Sequence, residues 1–290
     1  MMNLSSILTN DHIDPQHVLV MRHRPQEPEL RKVLPWLAAD RPHLFNAFQQ
    51  THGERVERAM LGAKHVASFI GHEPGKALFV GLYSIGKTTP MTSTQLWQVP
   101  AHIELKAYGH SGFSKRRPTV LWFDLALTEF YAAWKGKLII TWPPPERAWM
   151  RRAHKNVFPI QAILEESALD AAMPNWDQID LGWDELRILP NRWRLALSQW
   201  RAIYFIYDET DRKGYVGSAY GDENLLGRWL NYGRSKHGGN KLLRERDPKN
   251  FRFSILQRVS PDMDADDVIR LEGTWKERLH TRSPFDLNEN

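Results

Sequence analysis

Apolar residues recur at helical spacing in the first quarter of the chain. The clearest example is the set Leu30, Val33, Leu34 and Leu37. Because apolar positions three and four residues apart form one stripe on a helix, the pattern predicts a largely helical region from Val18 to about Lys76. This region includes a second helical run from Glu54 through Phe69.

Three short apolar runs then have the length and β-branched content of strands. They cover residues 77–85, 120–124 and 137–142, and the third is followed at once by Pro143, Pro144 and Pro145. Proline cannot donate to a sheet, so it ends the run. Strands between helices predict a mixed α/β (α+β) module over residues 1–175.

Residues 176–200 are rich in tryptophan for a linker. Trp176, Trp183, Trp193 and Trp200 are too apolar to stay in water, so we expect a connector that packs. The last part of the chain, 201–290, then forms a second domain.

A β-hairpin opens this second domain. Residues 202–207 are β-branched and aromatic, residues 208–213 are polar, and residues 214–218 return as a strand. Tyr204 and Tyr215 then lie on adjacent strands, close enough for two phenols to face one site.

The pattern in the remainder of the second domain predicts a helix, a strand and a helix. Residues 225–232 have helical spacing, which places Arg228 and Tyr232 on one face, four residues apart. A third strand covers residues 251–256. In the helix that begins near Asp264, Glu272 lies at the margin of an apolar stripe.

Composition excludes several classes of protein. The chain of 290 residues is 42% hydrophobic and 25% charged, which is ordinary for a globular protein and not for a disordered one. With no cysteine it has neither disulfides nor thiolate chemistry, so a metal would need oxygen or imidazole ligands. The net charge of +5 is compatible with a polyanionic partner and does not establish one.

The start of the chain lacks the basic segment and apolar core of a signal peptide, and no apolar run is long enough to span a bilayer. We therefore expect a cytoplasmic protein without a membrane partner.

The order of motifs from Ala202 to Asn288 resembles the GIY-YIG nuclease domain. Ala202-Ile203-Tyr204 stands for the first signature triplet, although alanine replaces its glycine, and Tyr215-Val216-Gly217 stands for the second. The other matches are Arg228 with Tyr232, Glu272 in Leu271-Glu272-Gly273, and Asn288 close to the end of the chain. The resemblance implies a small three-stranded antiparallel sheet flanked by helices.

The resemblance also implies hydrolysis of phosphodiester bonds in double-stranded DNA. Glu272 is then the ligand of Mg²⁺ or Mn²⁺, and Arg228 neutralises charge in the transition state. Tyr204 is the general base for the attacking water, and Tyr215 orients the water or the phosphate. Tyr232 and Asn288 complete the predicted catalytic set, and cutting both strands would require a homodimer or two successive nicks.

Each of these residues also has a purely structural interpretation. The tyrosines are ordinary strand residues, Glu272 pairs with Lys276, Arg228 pairs with Asp222 or Glu223, and Asn288 belongs to a frayed tail. All of these residues occur together and in the order of the family's motifs, which favours the nuclease interpretation.

Residues 228–249 form a basic run that we interpret as a surface for the phosphate backbone. It holds Arg228, Arg234, Lys236, Lys241, Arg244, Arg246 and Lys249. His237 lies in the glycine-containing loop between two of these lysines and is a further candidate for phosphate contact. A solvated helical face is the alternative.

The first domain bears a faint resemblance to PUA-superfamily modules, in particular EVE-like readers of modified bases, in the strand at 77–85 and the block at 136–149. This resemblance implies an aromatic pocket for a base flipped out of DNA. Trp36, Trp142 and Trp149 are the candidate walls, with core packing as the alternative for each. A reader joined to a nuclease would be a modification-dependent restriction enzyme. The alternatives are a repair or mobile-element nuclease and an inactive nucleic-acid-binding protein.

Overall fold

The computed structural model describes residues 2–112, 117–169, 172–221, 224–235, 240–244 and 246–289, except the side chains of Arg234 and Ser235. The chain folds into two compact units, Met1–Ala171 and Ala172–Asn290. The first holds a seven-stranded sheet and the second a four-stranded sheet, each with helices. The predicted mixed α/β (α+β) fold class is confirmed.

In its described residues the first unit is built on strands β1 to β7, with six α-helices between or before them. The strands are β1 Val18–His23, β2 His65–Gly71, β3 Lys76–Thr92, β4 Thr119–Leu127, β5 Leu138–Thr141, β6 Met150–Arg152 and β7 Ile160–Ile163. The helices are α1 Leu4–Asn10, α2 Pro28–Asp40, α3 Pro42–Gln49, α4 Glu54–Met60, α5 Ser93–Leu96 and α6 Pro100–Lys106.

The sheet of the first unit has the order β6-β1-β2-β3-β5-β7, with β4 paired to β3. Strands β1 and β2 are parallel, and the other pairs are antiparallel. The chain between β1 and β2 forms α2, α3 and α4, as a parallel pair requires a long crossover. Phe69, Phe79 and Trp142 lie in the buried core of this unit.

Two parts of the region predicted to be helical are strands instead. Val18–His23 is β1 and His65–Gly71 is β2, and helix α4 ends at Met60. All six residues of β1 are buried, so both faces are covered, and the polar alternation that marks a half-exposed strand is missing. Strand β3 also continues beyond Ile85, as far as Thr92.

The second unit contains strands β8 to β11 in the order β10-β9-β11-β8. They are β8 Asp180–Gly182, β9 Arg201–Asp208, β10 Lys213–Ala219 and β11 Phe251–Val259. The helices are α7 Trp183–Arg187, α8 Asn191–Gln199, α9 Asn224–Ser235 and α10 Ala265–Arg278. The sheet thus has four strands where three were predicted, because residues 180–182 of the predicted connector pair with β11.

Helices α9 and α10 cover opposite faces of this second sheet. Tyr204 contacts Trp229 of α9, whereas its neighbour Ile203 belongs to a buried cluster with Val268 of α10. Neighbouring residues of a strand point to opposite faces, so the two helices enclose the sheet between them. In the part of the chain that the structure describes, no helix has the length and apolarity needed to cross a bilayer.

Candidate active site

The hairpin of β9 and β10 places two tyrosines on the same face of the sheet. Tyr204 pairs with Gly217 and Tyr215 pairs with Ile206 in an antiparallel register. Since side chains alternate along each strand, Tyr204 and Tyr215 are diagonal neighbours, and their ring centroids lie 6.5 Å apart. The predicted hairpin and the approach of the two phenols are confirmed.

Gly217 provides the space for the Tyr204 ring. A Cβ atom at position 217 would lie 2.5 Å from the hydroxyl oxygen of Tyr204 and 2.6 Å from the ring carbon that bears it. Such distances are far below van der Waals contact, so the ring lies directly over the glycine. The glycine of the second triplet is therefore required by the volume of the tyrosine in the first.

Helix α9 adds an arginine and a third tyrosine to this face. The hydroxyls of Tyr204 and Tyr232 form a hydrogen bond of 2.7 Å, and Arg228 Nε donates to the Tyr204 hydroxyl at 3.3 Å. The ring centroids of Tyr215 and Tyr232 lie 6.0 Å apart. We call these four residues the phenol–arginine cluster.

Burial controls the ionisation of the cluster. Tyr204 and Tyr232 are inaccessible to solvent, and Tyr215 is 8% exposed. Desolvation raises the pKa of all three phenols, and Arg228 opposes that rise. Desolvation also disfavours charge on the guanidinium, but Tyr204 and Tyr232 outweigh it, so the pKa of Arg228 is raised and the group stays protonated.

The geometry disfavours Tyr204 as the general base predicted from the sequence. Its hydroxyl is already bonded to Tyr232 and Arg228, and burial raises its pKa far above neutral pH. A group that must lose a proton to water needs access to water and a moderate pKa. Tyr204 is better suited to hold Arg228, and Tyr215 is the more accessible phenol.

Glu272 lies on α10, across the edge strand β10 from the phenol–arginine cluster. Its Oε2 accepts a hydrogen bond from Ser218 Oγ, and its Oε1 lies 2.7 Å from Lys276 Nζ. The ion pair between Glu272 and Lys276, which the structural interpretation predicted, is therefore present. The carboxylate is still close enough for its charge to raise the pKa of Tyr215.

These residues do not form a metal site by themselves. Both oxygens of Glu272 are engaged by Lys276 and Ser218. Among the described residues, no group of three or more acidic or imidazole side chains is placed to hold a metal ion. A divalent ion would need Lys276 to move away and phosphate oxygens to complete its coordination.

Asn288 is buried, not part of a frayed tail. Its side-chain amide donates to the carbonyl of Val216 at 2.8 Å and accepts from the Val216 N–H at 2.9 Å. The Asp286 carboxylate accepts from the N–H of Gly214 at 2.5 Å in the same way. The segment 281–288 thereby covers β10. Asn288 does not contact the phenols through these bonds, but it holds Val216, the neighbour of Tyr215 in the strand.

The described part of the basic run is divided between exposed and neutralised side chains. Lys241, Arg244 and Lys249 are exposed, whereas Arg246 forms ion pairs with Asp208 and Asp211. Lys236 and His237 lie outside the described residues, as do Asp222 and Glu223, the predicted alternative partners of Arg228. The side chain of Arg234 is likewise not described.

The three candidate tryptophans of the first unit have different positions. Trp142 is 2% exposed in the core, with its indole N–H donating to the Ala148 carbonyl at 3.1 Å, and Trp36 is 6% exposed on α2. Trp149 is 36% exposed and lines a cavity of about 610 Å³. Core packing therefore explains Trp142 and Trp36, and only Trp149 fits the predicted role of a pocket wall.

The same cavity is lined by His23, His52 and His110, which sequence reasoning missed. They are far apart in the chain and follow no motif, so only the fold brings them together. The chain matches no protein-family model, no curated protein and no solved structure.

Proposed function

We propose that this protein is an endonuclease that hydrolyses phosphodiester bonds of double-stranded DNA at the phenol–arginine cluster. The observation that carries the proposal is the environment of Arg228. Within the described residues its partners are phenols, and no ion pair joins it to a carboxylate. A half-buried guanidinium whose described partners are phenols favours an anion such as a phosphate group.

The chemistry requires a water oxygen to bond to phosphorus while the bond from phosphorus to the leaving oxygen breaks. Negative charge grows on the phosphoryl oxygens during this step, and a fixed guanidinium stabilises it. Tyr204 and Tyr232 hold Arg228 in place. We assign Tyr215 to orient the attacking water, because it is the most exposed of the three phenols. Burial raises the pKa of Tyr215, so the proton of the water passes to solvent, and the leaving oxygen takes its proton from solvent.

A requirement for Mg²⁺ or Mn²⁺ is part of this proposal, with Glu272 as the protein ligand. The ion would supply additional positive charge at the phosphate. The role of Glu272 and the role of Arg228 can be tested separately, because they lie on different helices.

The first test measures cleavage of duplex DNA by the full chain with Mg²⁺. We expect Arg228→Ala to lower the rate about 10²–10³-fold, as loss of one preorganised donor does. Arg270→Ala is the matched control, since it removes the same charge from an exposed position on α10. Glu272→Gln should abolish cleavage. Wild-type rates for both Arg228→Ala and Glu272→Gln, with circular dichroism showing folded proteins, would refute the proposed site.

The second test addresses biological role, for which we propose modification-dependent restriction. Matched duplexes, one plain and one with modified cytosines, are digested under the same conditions. Cleavage of the modified duplex alone supports restriction. Equal cleavage supports a nuclease of repair or mobile-element type, and binding without cleavage supports an inactive nucleic-acid-binding protein. The time course of the products tests the requirement for a homodimer. Nicked DNA that appears before linear DNA indicates two successive nicks, whereas linear DNA formed directly indicates a homodimer.

A further inference from the structure

A small cavity of the first unit lies where the parallel strands β1 and β2 end. Arg24 directly follows β1, Gly71 ends β2 and Arg31 lies on α2, and all three line the cavity together with Arg22 of β1. Parallel strands release the chain at the same edge of a sheet, and α/β proteins commonly bind ligands in the crevice at that edge. We call this space the arginine cavity.

The size of the arginine cavity limits its ligand to a small molecule. Its volume is about 280 Å³. A water molecule takes about 30 Å³ in the liquid, so the cavity has room for a small ion with part of its hydration shell. Cavities for larger organic ligands are about 300–1,000 Å³.

Arg31 is held in place by neutral partners. Its Nε donates to the carbonyl of Pro25 at 2.8 Å, and its Nη2 donates to the carbonyl of Gln26 at 3.0 Å. These bonds fix the plane of the guanidinium, but a carbonyl does not neutralise its charge. A guanidinium has five N–H donors, so the others remain for a ligand.

Arg24 brings a second guanidinium to the arginine cavity. The residue is exposed, and its aliphatic stem lies beside Gly71, where an added Cβ atom would be 3.8 Å from Arg24 Cδ. The stem therefore lies against the end of β2. In the described part of the chain, neither Arg24 nor Arg31 forms an ion pair with a carboxylate.

Two glutamates also line the arginine cavity, and each has a cation of its own. Glu146 Oε2 lies 3.3 Å from Arg22 Nη1, and Glu73 Oε2 lies 2.6 Å from Lys76 Nζ. Their negative charges are therefore matched by these partners. The charges of the two other arginines of the cavity remain unmatched.

Arg22 shows that positive charge is in excess at this place. The residue is 4% exposed, and burial lowers its pKa. The charges of Arg24 and Arg151 act in the same direction, against the effect of Glu146. An anion bound beside Arg24 would reduce this repulsion.

We infer that the arginine cavity binds a phosphate monoester as a dianion, with the guanidinium groups of Arg24 and Arg31 on its oxygens. Guanidinium groups bind phosphate oxygens through paired, parallel hydrogen bonds. Two unmatched positive charges fit a monoester, whose charge is about −2 above its second pKa of about 6, better than a phosphodiester with a single negative charge. The monoester belongs to a free phosphate compound or to the 5′ end of a DNA strand, and only the second source rests on the proposed function.

The experiment titrates the full chain with methyl phosphate and with dimethyl phosphate in a calorimeter. Both titrations use HEPES buffer without added metal, at equal ionic strength and at a pH where the monoester is a dianion. The two probes differ by one methyl group and one charge. We expect methyl phosphate to bind at least about tenfold more tightly, the contribution of a hydrogen bond between charged groups. Equal affinities would overturn the match to a dianion, and no binding of methyl phosphate would overturn the site.

Variants test whether the two arginines form the site. Arg24→Gln and Arg31→Gln should each weaken methyl phosphate about tenfold or more. Arg55→Gln, at an exposed position of α4 outside the cavity, removes the same charge and should leave the affinity unchanged. An equal loss in all three variants would indicate general attraction by surface charge and would contradict the inference. Because Arg24 is exposed, its variant decides even if Arg31→Gln fails to fold.

A DNA arm distinguishes the source of the phosphate. Fluorescence anisotropy compares two duplexes of one sequence, with and without 5′-phosphates, again without added metal. Tighter binding of the phosphorylated duplex that is lost in Arg24→Gln supports the end of a DNA strand. Equal binding of the two duplexes overturns that source and assigns the site to a free phosphate compound. Since no cleavage is measured, these results do not depend on the phenol–arginine cluster, and cleavage there does not depend on this cavity.

Discussion

Buried neutral histidines make the stability of the first unit depend on pH. Burial lowers the pKa of His23 to about 3 and of His52 and His102 to about 4, against 6.5 when the chain is unfolded. Between these values the unfolded chain binds more protons than the folded chain. Stability is therefore complete above pH 6.5 and is lost as the pH falls toward 4.

We predict that the free energy of unfolding falls with decreasing pH by up to about 1.4 kcal/mol per pH unit for each of these histidines. Urea unfolding of the full chain at several values from pH 7.5 to 4.5 measures the slope. His23→Gln should reduce it, and the exposed His154→Ala should leave it unchanged. A stability that is constant over this range would show that the histidines are not buried in their neutral form.

At the residue scale, the sequence predicted the phenol–arginine cluster because its members are close in the chain and obey strand and helix periodicity. Tyr204 and Tyr215 belong to one hairpin, and Arg228 and Tyr232 to one helical turn. The ionisation of Tyr204 could not be predicted, since it depends on burial by a helix that follows later. The histidines that line the Trp149 cavity were missed for the same reason, because they share no local pattern.

At the element scale, β10 is the edge strand of its sheet, and the segment 281–288 supplies hydrogen-bond partners to its backbone. In Asn288→Ala the N–H and carbonyl of the buried Val216 lose their partners, and each unpaired group costs about 1–3 kcal/mol. We predict a loss of about 2–4 kcal/mol in the free energy of unfolding of the full chain, measured with urea. Glu289→Ala, at an exposed neighbour, is the control. An unchanged stability would mean that Asn288 does not fix the strand.

Strand β1 shows why some elements could not be predicted. Val-Leu-Val-Met-Arg-His has no polar alternation, since β1 is buried between two neighbouring strands and both of its faces are covered. A short apolar run of this kind is equally compatible with a buried helix. The hairpin of β9 and β10 was predictable because a polar turn separates its strands.

At the scale of the whole molecule, the second unit begins before the residues that carry its motifs. Strand β8 pairs with β11, and the ring of Trp183 lies against Gly233 of α9. A fragment that starts at residue 201 would expose the edge of β11 and the face of α9. The predicted connector is therefore structural for this unit.

We predict that a fragment of residues 172–290 folds cooperatively and that a fragment of residues 201–290 does not. Circular dichroism and the dispersion of amide resonances in NMR spectra measure the difference. The variant Trp183→Ala in the longer fragment should have an intermediate stability, because it removes the ring but keeps β8. Two fragments with the same cooperative unfolding would show that residues 172–200 are dispensable.

The contact between Gly217 and the Tyr204 ring links two positions that are separated by a turn. A methyl group at 217 has no room unless the residue at 204 becomes smaller, and a smaller residue there releases Arg228 from its hydrogen bond. Neither position can therefore change alone without loss of the cluster. In evolutionary terms the tyrosine and the glycine are inherited together, and a lineage that replaces one must replace the other or lose the phenol–arginine cluster.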